Sequence, residues 1–572
     1  MIAIMIDRKL ERFDDIVRYT FCFIFDTLGM QYRFINKIGE LKRDEIIFFY
    51  GLLEPTNEEK MIFTYNKIVF FIKAETDLLT TGRIDKEGLL DRLQEIKLQK
   101  VIPVLSEKEF QYPLITYKVN EIYWGQFNFD IIGNVFFHLS GYEETFSTQR
   151  DIHGNIPDTE LPLIGYKNFP YVNALLWMIE SFLREAIITQ PVTFLVKKEF
   201  WPNGEEYAYA ISHNIDYLQK WSLQRLFTSF FTDIKLLFIL KWGTFFRNLK
   251  EKLNYLITNY EVYWNFDEIR EILKEQAIKA TYFFGVSNKK QSHYDIDYSL
   301  KDPDLITEIN QIQQDGGEIA LLASYASHQS KEISKQITRL SNTIGHKVQG
   351  IRHNHFQYDN LVTPLLHSDL EILYDSSKTL NEQTGYRNGI AFPYRTYHPD
   401  KPINHWEIPL TFTDNILRLS KYAILSKERA QTLIKNLVTG IQKTNGLLTL
   451  NFSISKINDI KYSSQLLDFT LRLLSQSPSF SGTFSEIAEW WEARAKVEVE
   501  VGEEEIHFFC PKQLPSITIT LWGNRTIKKI SGAKGKIKGR SVTLKDVKAG
   551  DSFTLIAPKD DQIYLEIDEE SC

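Results

Sequence analysis

Cysteine is scarce: Cys22, Cys510 and Cys572 are the only three in 572 residues. They are too few and too scattered for a disulfide framework or a thiolate zinc site, so a reducing compartment is the simplest expectation. Long uncharged apolar runs are missing, and none approaches the roughly 18 residues that cross a bilayer. The opening run Met1-Ile-Ala-Ile-Met-Ile-Asp7-Arg8 has neither a basic leader nor an extended apolar stretch. It reads as a first buried strand, not a secretion signal. No internal repeat or low-complexity segment is present, which excludes solenoids and linker arrays. Also absent are the P-loop, the GxGxxG turn, the HExxH helix, a CxxC pair and the GxSxG elbow. Nucleotide, dinucleotide, zinc-protease and serine-hydrolase chemistry therefore lack their local signatures. An excess of positive charge is lacking too: 67 basic against 74 acidic residues give a net charge of −7. That balance argues against a nucleic-acid partner.

What the sequence does have is aromatic bulk, 13% of residues. Aromatic rings supply core area and sugar-stacking faces alike, so the excess does not choose between them. The pattern divides the chain into three. Residues 1–195 alternate short apolar runs such as Ile46–Tyr50 and Ile68–Ile72 with helical spacing over Val172–Ile188, a mixed α/β region. Residues 196–496 turn to strand, helix, strand, helix. Strands are expected at Tyr207–Ile211, Ala280–Phe284, Glu318–Leu322, Val348–Ile351, Ile372–Tyr374 and Leu447–Leu450, and helices at Asn265–Gln276 and Lys331–Ile344. That rhythm implies parallel pairing, in a doubly wound sheet or a barrel, with chemistry at the carboxyl ends of the strands. Residues 497–572 alternate with period two and are punctuated by glycine, the pattern of a small antiparallel β domain, a sandwich or half-barrel.

The first expected barrel strand runs into Ser212-His213-Asn214-Ile215-Asp216. An acid just beyond a buried strand is either a ligand or base facing the cleft, or a cap for the next helix. Here the sequence resembles the bacterial polysaccharide deacetylases (carbohydrate esterase family 4), and more closely their branch with a long N-terminal domain of unknown function. Further segments match in order: Val262–Glu268, Ile278–Phe284, Gly317–Tyr325, Gly350–His355, Tyr374–Ser377, Gly385–Gly389, Phe392–Arg395, Trp406–Thr411 and Phe484–Trp491. Phe137–Glu144 and Arg150–Gly154 match in the N-terminal region. The resemblance implies a distorted (β/α) barrel in which a divalent metal polarises an N-acetyl carbonyl, an Asp acts as general base and a His as general acid.

Carried over by position, the metal Asp falls on Asp216. The base falls on Asn214, a metal His on Leu322, a second His on Asn354 and the acid His on Leu450. An amide accepts no proton at neutral pH and leucine has no lone pair, so the resemblance leads to a catalytically degenerate protein. It would bind a glycan or scaffold surface-polysaccharide metabolism, with no cofactor. One alternative is an active deacetylase with a rearranged zinc, cobalt or nickel site made from Asp216, His328, His353 and His355. His353 and His355 share a face if that segment is extended. The other is an interaction module with a vestigial cleft. Arg352, Asp375, Arg387, Tyr394, Arg395 and Glu407 fall where the family lines its groove. They serve either a glycan or an ion-pair network beneath the rim.

One feature stands outside the resemblance. Residues 220–260 insert a basic stretch interleaved with Trp221, Phe227, Phe230, Phe231, Phe238, Trp242, Phe245 and Phe246. Between Lys220 and Lys252 seven basic residues face two acidic ones. This reads either as an amphipathic helix pair on an anionic membrane face or as a hairpin packed on the barrel or a second copy. The expected location is cytoplasmic, with peripheral contact at the inner membrane face through 220–252.

Overall fold

The computed structural model describes residues 1–559 apart from 43–44, 57–59, 61–62, 64–67, 81–82, 98–99, 120–121, 191–192, 222, 239, 259–260, 287–293 and 421–422. Cys22 and Cys510 are free thiols, and Cys572 lies outside the described residues. The N-terminal region is built on a six-stranded sheet in the spatial order Tyr32–Ile35, Ile2–Ile6, Ile46–Gly51, Ile68–Lys73, Ile122–Phe127 and Leu114–Val119. Only the last pair is antiparallel. The helix Asp14–Leu28 covers it because Val17, Phe21, Ile24, Phe25 and Leu28 fall on one face and are buried. Gly29 ends that helix at φ 72°, where a Cβ would strike the Lys198 carbonyl oxygen.

The central region holds a nine-stranded, wholly parallel sheet. Its strands run in the order Trp406–Glu407, Tyr374–Asp375, Gly350–His353, Glu318–Ala323, Ala280–Gly285, Tyr207–Ile215, Leu447–Asn451 and Phe412–Thr413, with Ser479–Ser481 added against Tyr207–Tyr209. Near-continuous apolar strands suit a sheet buried on both faces, with helices such as Phe266–Glu275, Glu332–Ile344 and Lys427–Gln442 outside. The expected parallel barrel strands are all present. The two edges of the curled sheet come from one segment. Ile408 N–H donates to the Asp375 carbonyl and Thr411 N–H to the Thr449 carbonyl, so residues 406–413 bridge the seam without a continuous ladder.

After the Phe484–Ala495 helix, set by a Thr483/Glu486 capping box, the chain forms two four-stranded antiparallel sheets. One of them takes its edge strand, Phe194–Lys198, from more than 300 residues upstream, pairing with Leu514–Gly523. The expected division at 195/196 falls inside that strand. Arg494, fully buried, ties the regions together by donating to the carbonyls of Asp26, Thr27, Lys198 and Glu199 at 2.7–3.0 Å. Two of these carbonyls close the C-terminal turn of the Asp14–Leu28 helix, where a cation also complements the helix dipole.

Candidate functional site

The Tyr207–Ile215 strand runs four residues beyond its expected end; His213 packs against Tyr282 on its outer face, while Ser212 and Asn214 point into the barrel. Arg352 meets them there from the Gly350–His353 strand and is fully buried. Its Nη1 donates to Asn214 Oδ1 at 2.8 Å, to Asn451 Oδ1 at 2.9 Å and to Ser212 Oγ at 2.9 Å. Nε and Nη2 reach the Ser376 carbonyl and hydroxyl, each at 3.0 Å. The guanidinium lies 3.9 Å over the Phe283 ring. All these acceptors are neutral, and burial pushes the Arg352 pKa down to about 9. Leu322 and Leu450 are packed in the hydrophobic cores. Asn354 spends its amide on the Tyr294 carbonyl at 2.6 Å.

Asp216 sits past the strand end, half-buried. Its Oδ1 accepts from the Ser455 hydroxyl at 2.9 Å and from Tyr217 N–H at 2.8 Å. Burial raises its pKa against the pull of Lys456. Lys456 also approaches Asp414, at 3.4 Å, and Asp414 is fully buried on Ser453. The sequence reading missed Asp414, although it follows a strand end in the same way as Asp216. The strand Phe412–Thr413 is two residues long and leaves no periodic trace.

The four residues considered as a rebuilt metal site do not gather. Asp216 is held as above. His353 is buried, with Nε2 3.0 Å from Nε2 of His367, whose Nδ1 lies 2.9 Å from Asp375 Oδ2. His328 is nearest to His353, with ring centroids 6.2 Å apart. His355 turns away, because its backbone is left-handed at φ 54° and ends the extended run. Its ring stacks on His153 at 4.0 Å, so the shared face expected for His353 and His355 does not form. Among the described residues no three His, Cys, Asp or Glu side chains converge to hold a metal ion. The donor set does not fit zinc, cobalt or nickel.

The six groove candidates also separate. Arg352, Asp375, Tyr394 and Glu407 are buried. Asp375 and Glu407 are neighbours in the sheet register. Burial, and then the negative charge of Asp375, raise the Glu407 pKa far above the carboxylate range. Arg395 pairs with Glu492 at 2.7 Å and, with Tyr394, Trp406 and Trp491, lines an apolar cavity of about 330 Å³. Arg387 pairs with Glu144 at 2.9 Å. It borders a polar cavity of about 450 Å³ between the 144–156 segment and the barrel loops at 328–329, 356–361 and 377–387.

Those loops follow the strands Glu318–Ala323, Gly350–His353 and Tyr374–Asp375, so this cavity opens at their carboxyl ends. Lys378 lines it and is only 5% exposed, and its ammonium makes no hydrogen bond or ion pair among the described residues. That ammonium lies 4.8 Å over the Tyr358 ring, and burial lowers its pKa. Asn360 Oδ1 and Asn381 Oδ1, in the same lining, are buried without a partner among the described residues. Of this lining, Arg387 and His328 were the candidate site residues, and Glu144, Arg150, Gly154 and Ser377 lie in segments that carry the family resemblance.

A family of unknown function, DUF7033, matches residues 8–188. No curated protein matches the chain. Several solved structures resemble it over about half its length. A Mycobacterium smegmatis protein provisionally described as a polysaccharide deacetylase is 17% identical, covering 51% of this chain and 93% of its own at a TM-score of 0.35. PuuE allantoinase is 15% identical, covering 51% and 92%, at 0.34. A mutant of BA3943, a CE4 family pseudoenzyme with restored enzymatic activity, is 13% identical, covering 50% and 69%, at 0.27. At such identities and scores these likenesses decide nothing about activity.

Proposed function

We propose that this chain is a deacetylase-like barrel that binds a glycan without hydrolysing it, in the service of surface-polysaccharide metabolism. One observation carries the reading. The side chain at the position matching the general base, Asn214, offers Arg352 an amide oxygen and has no proton-accepting carboxylate. The positions matching two histidines are leucines packed in the cores, so the loss extends from base to metal ligand and acid.

The polar cavity beside Lys378 is the place for the glycan. Its volume lies in the range of about 300–1,000 Å³ typical of small-ligand sites. Sugar hydroxyls donate to amide oxygens such as Asn360 Oδ1 and Asn381 Oδ1 and accept from an ammonium such as Lys378. Binding would supply the partners that these buried atoms lack within the chain.

The test combines metal analysis, acetate release from N-acetylated oligosaccharides, and calorimetric titration of glycans selected on an array. Expected are no acetate release with zinc, cobalt or nickel, and saturable binding. Lys378→Met should weaken that binding about tenfold, the worth of one charge-assisted hydrogen bond. Stoichiometric metal with acetate release would favour the rearranged enzyme. Neither turnover nor affinity would leave an interaction module with a vestigial cleft.

A further inference from the structure

The insertion forms a helical hairpin, Leu223–Phe238 followed by Trp242–Thr258. Its base is fastened to the barrel. Lys220 pairs with Asp459 at 2.8 Å and Glu251 at 2.9 Å, its N–H donates to Glu261, and Trp221 is buried. The two helices hold each other through an Asp233–Lys252 ion pair and an Asn248–Asp233 hydrogen bond of 3.0 Å. Phe230 and Phe231 have side chains outside the described residues.

Beyond that base, apolar side chains face water. Phe238 is 82% exposed, Leu240 75% and Trp242 54%, side by side at the turn, where Leu240 takes a left-handed φ of 57°. Phe227, Phe246 and Ile257 are exposed along the two helices as well. The expectation that the hairpin packs its aromatics on the barrel does not hold for these residues. Scattered exposed apolar residues need no explanation, whereas a contiguous patch marks an interaction surface.

The charges identify the occupant. Both hairpin acids are committed, Asp233 to Lys252 and Glu251 to Lys220 and Arg247. Lys235, Lys241 and Lys250 are exposed and make no ion pair among the described residues. An apolar tip flanked by uncompensated lysines complements an anionic lipid surface. A second copy docked through the same face about a two-fold axis would oppose each lysine set to itself. No helix of the described residues is long and apolar enough to cross a membrane, so the contact would be interfacial.

We propose that the hairpin tip seats Phe238, Leu240 and Trp242 in an anionic bilayer surface, with Lys235, Lys241 and Lys250 at the headgroups. The experiment is co-sedimentation of the full chain with vesicles of phosphatidylcholine alone and of phosphatidylcholine with equal phosphatidylglycerol. Binding to the anionic vesicles is expected, falling with salt. Combining K235E, K241E and K250E should lower partitioning on the order of a hundredfold, about fivefold or more per lysine. Combining F238S, L240S and W242S should abolish it. All six positions are exposed, so the melting temperature should not change, and a control melt verifies this. In the Trp242→Phe difference spectrum, the Trp242 emission should shift to the blue on anionic vesicles. Absence of anionic-vesicle binding, or binding unchanged in either variant, overturns the proposal. So does a dimer by light scattering that the tip substitutions dissociate while no vesicles bind. None of these outcomes bears on glycan affinity at the barrel cavity.

Discussion

Asn214→Asp places a carboxylate where Arg352 now meets an amide oxygen at 2.8 Å. The swap is isosteric, and the Asn214 amide nitrogen has no hydrogen-bond partner among the described residues to lose. With charge centres about 4 Å apart and an effective dielectric near 20, the new attraction is about 4 kcal/mol. Desolvating a half-buried carboxylate takes back a few kcal/mol, leaving a net gain of about 1–2 kcal/mol. That corresponds to a pKa for the introduced carboxylate about one unit below the ordinary 3.9. A group whose folded-state pKa is depressed stabilises above its unfolded pKa and loses the effect as pH falls through the folded one. Calorimetric melting should therefore show the variant about 1–3 °C higher at pH 7, with the difference shrinking through pH 3 and gone by about pH 2. On the proposed function, acetate release should remain absent in the variant, because Leu322 and Leu450 have no lone pair or proton to offer. A variant less stable at pH 7 that recovers in acid would mean desolvation outweighs the ion pair. Arg352 would then not act as a waiting counter-ion, and the argument from the barrel centre would fail.

Burial pushes His353 and His405 down to about 3. Between about pH 6.5 and 3 the unfolded chain binds protons that these rings refuse, so stability should fall with pH by about 1.4 kcal/mol per unit per ring. His405→Gln should make the slope of unfolding free energy between pH 6.5 and 4 shallower by that amount in denaturant titrations; an unchanged slope would show His405 protonated in the fold. Arg494→Leu strips four backbone carbonyls of their donor and should cost about 3–5 kcal/mol, with the 194–198 strand and the end of the Asp14–Leu28 helix becoming sensitive to protease. A loss below about 1 kcal/mol would mean water replaces the guanidinium freely. Gly29→Ala, at φ 72° and against the Lys198 carbonyl, should cost at least about 1 kcal/mol in the same assay, and a neutral effect would contradict the close approach.

Strands rich in apolar residues were legible because a sheet buried on both faces demands them. Tyr207–Ile215 was read short because Ser212, His213 and Asn214 are polar. The structure gives each a partner, Ser212 on the Leu450 carbonyl, His213 Nδ1 on the Phe452 carbonyl and Asn214 Oδ1 on Arg352. Consecutive polar side chains in a buried strand look like a strand end in one dimension. Trp406–Glu407 and Phe412–Thr413 have no periodicity to read at two residues each. Phe194–Lys198 finds its partner more than 300 residues away, a pairing no local pattern encodes. His367, the partner of His353, sits on the short helix Thr363–Asp369, and nothing near it marks a buried role. The left-handed backbone at His355, costly for a residue with a Cβ, was equally invisible and redirects one of the four proposed ligands.

Hydrogen-bond satisfaction separates architecture from recognition in this chain. Every guanidinium nitrogen of Arg352 has a partner, and Arg494 is likewise consumed by carbonyls. A buried arginine engaged at every nitrogen is directed at the protein around it. Its worth lies in fixing the strands around it, although an aliphatic core of equal volume would cost less desolvation. Lys378 and the Oδ1 atoms of Asn360 and Asn381 are the reverse: buried, polar and incompletely paired among the described residues around one cavity. Leaving such groups unpaired costs about 1–3 kcal/mol each, a cost that an incoming polar ligand removes. On the proposed reading, the residues at the positions of a deacetylase centre serve the fold. The place to look for a ligand lies along the rim, toward the 144–156 segment.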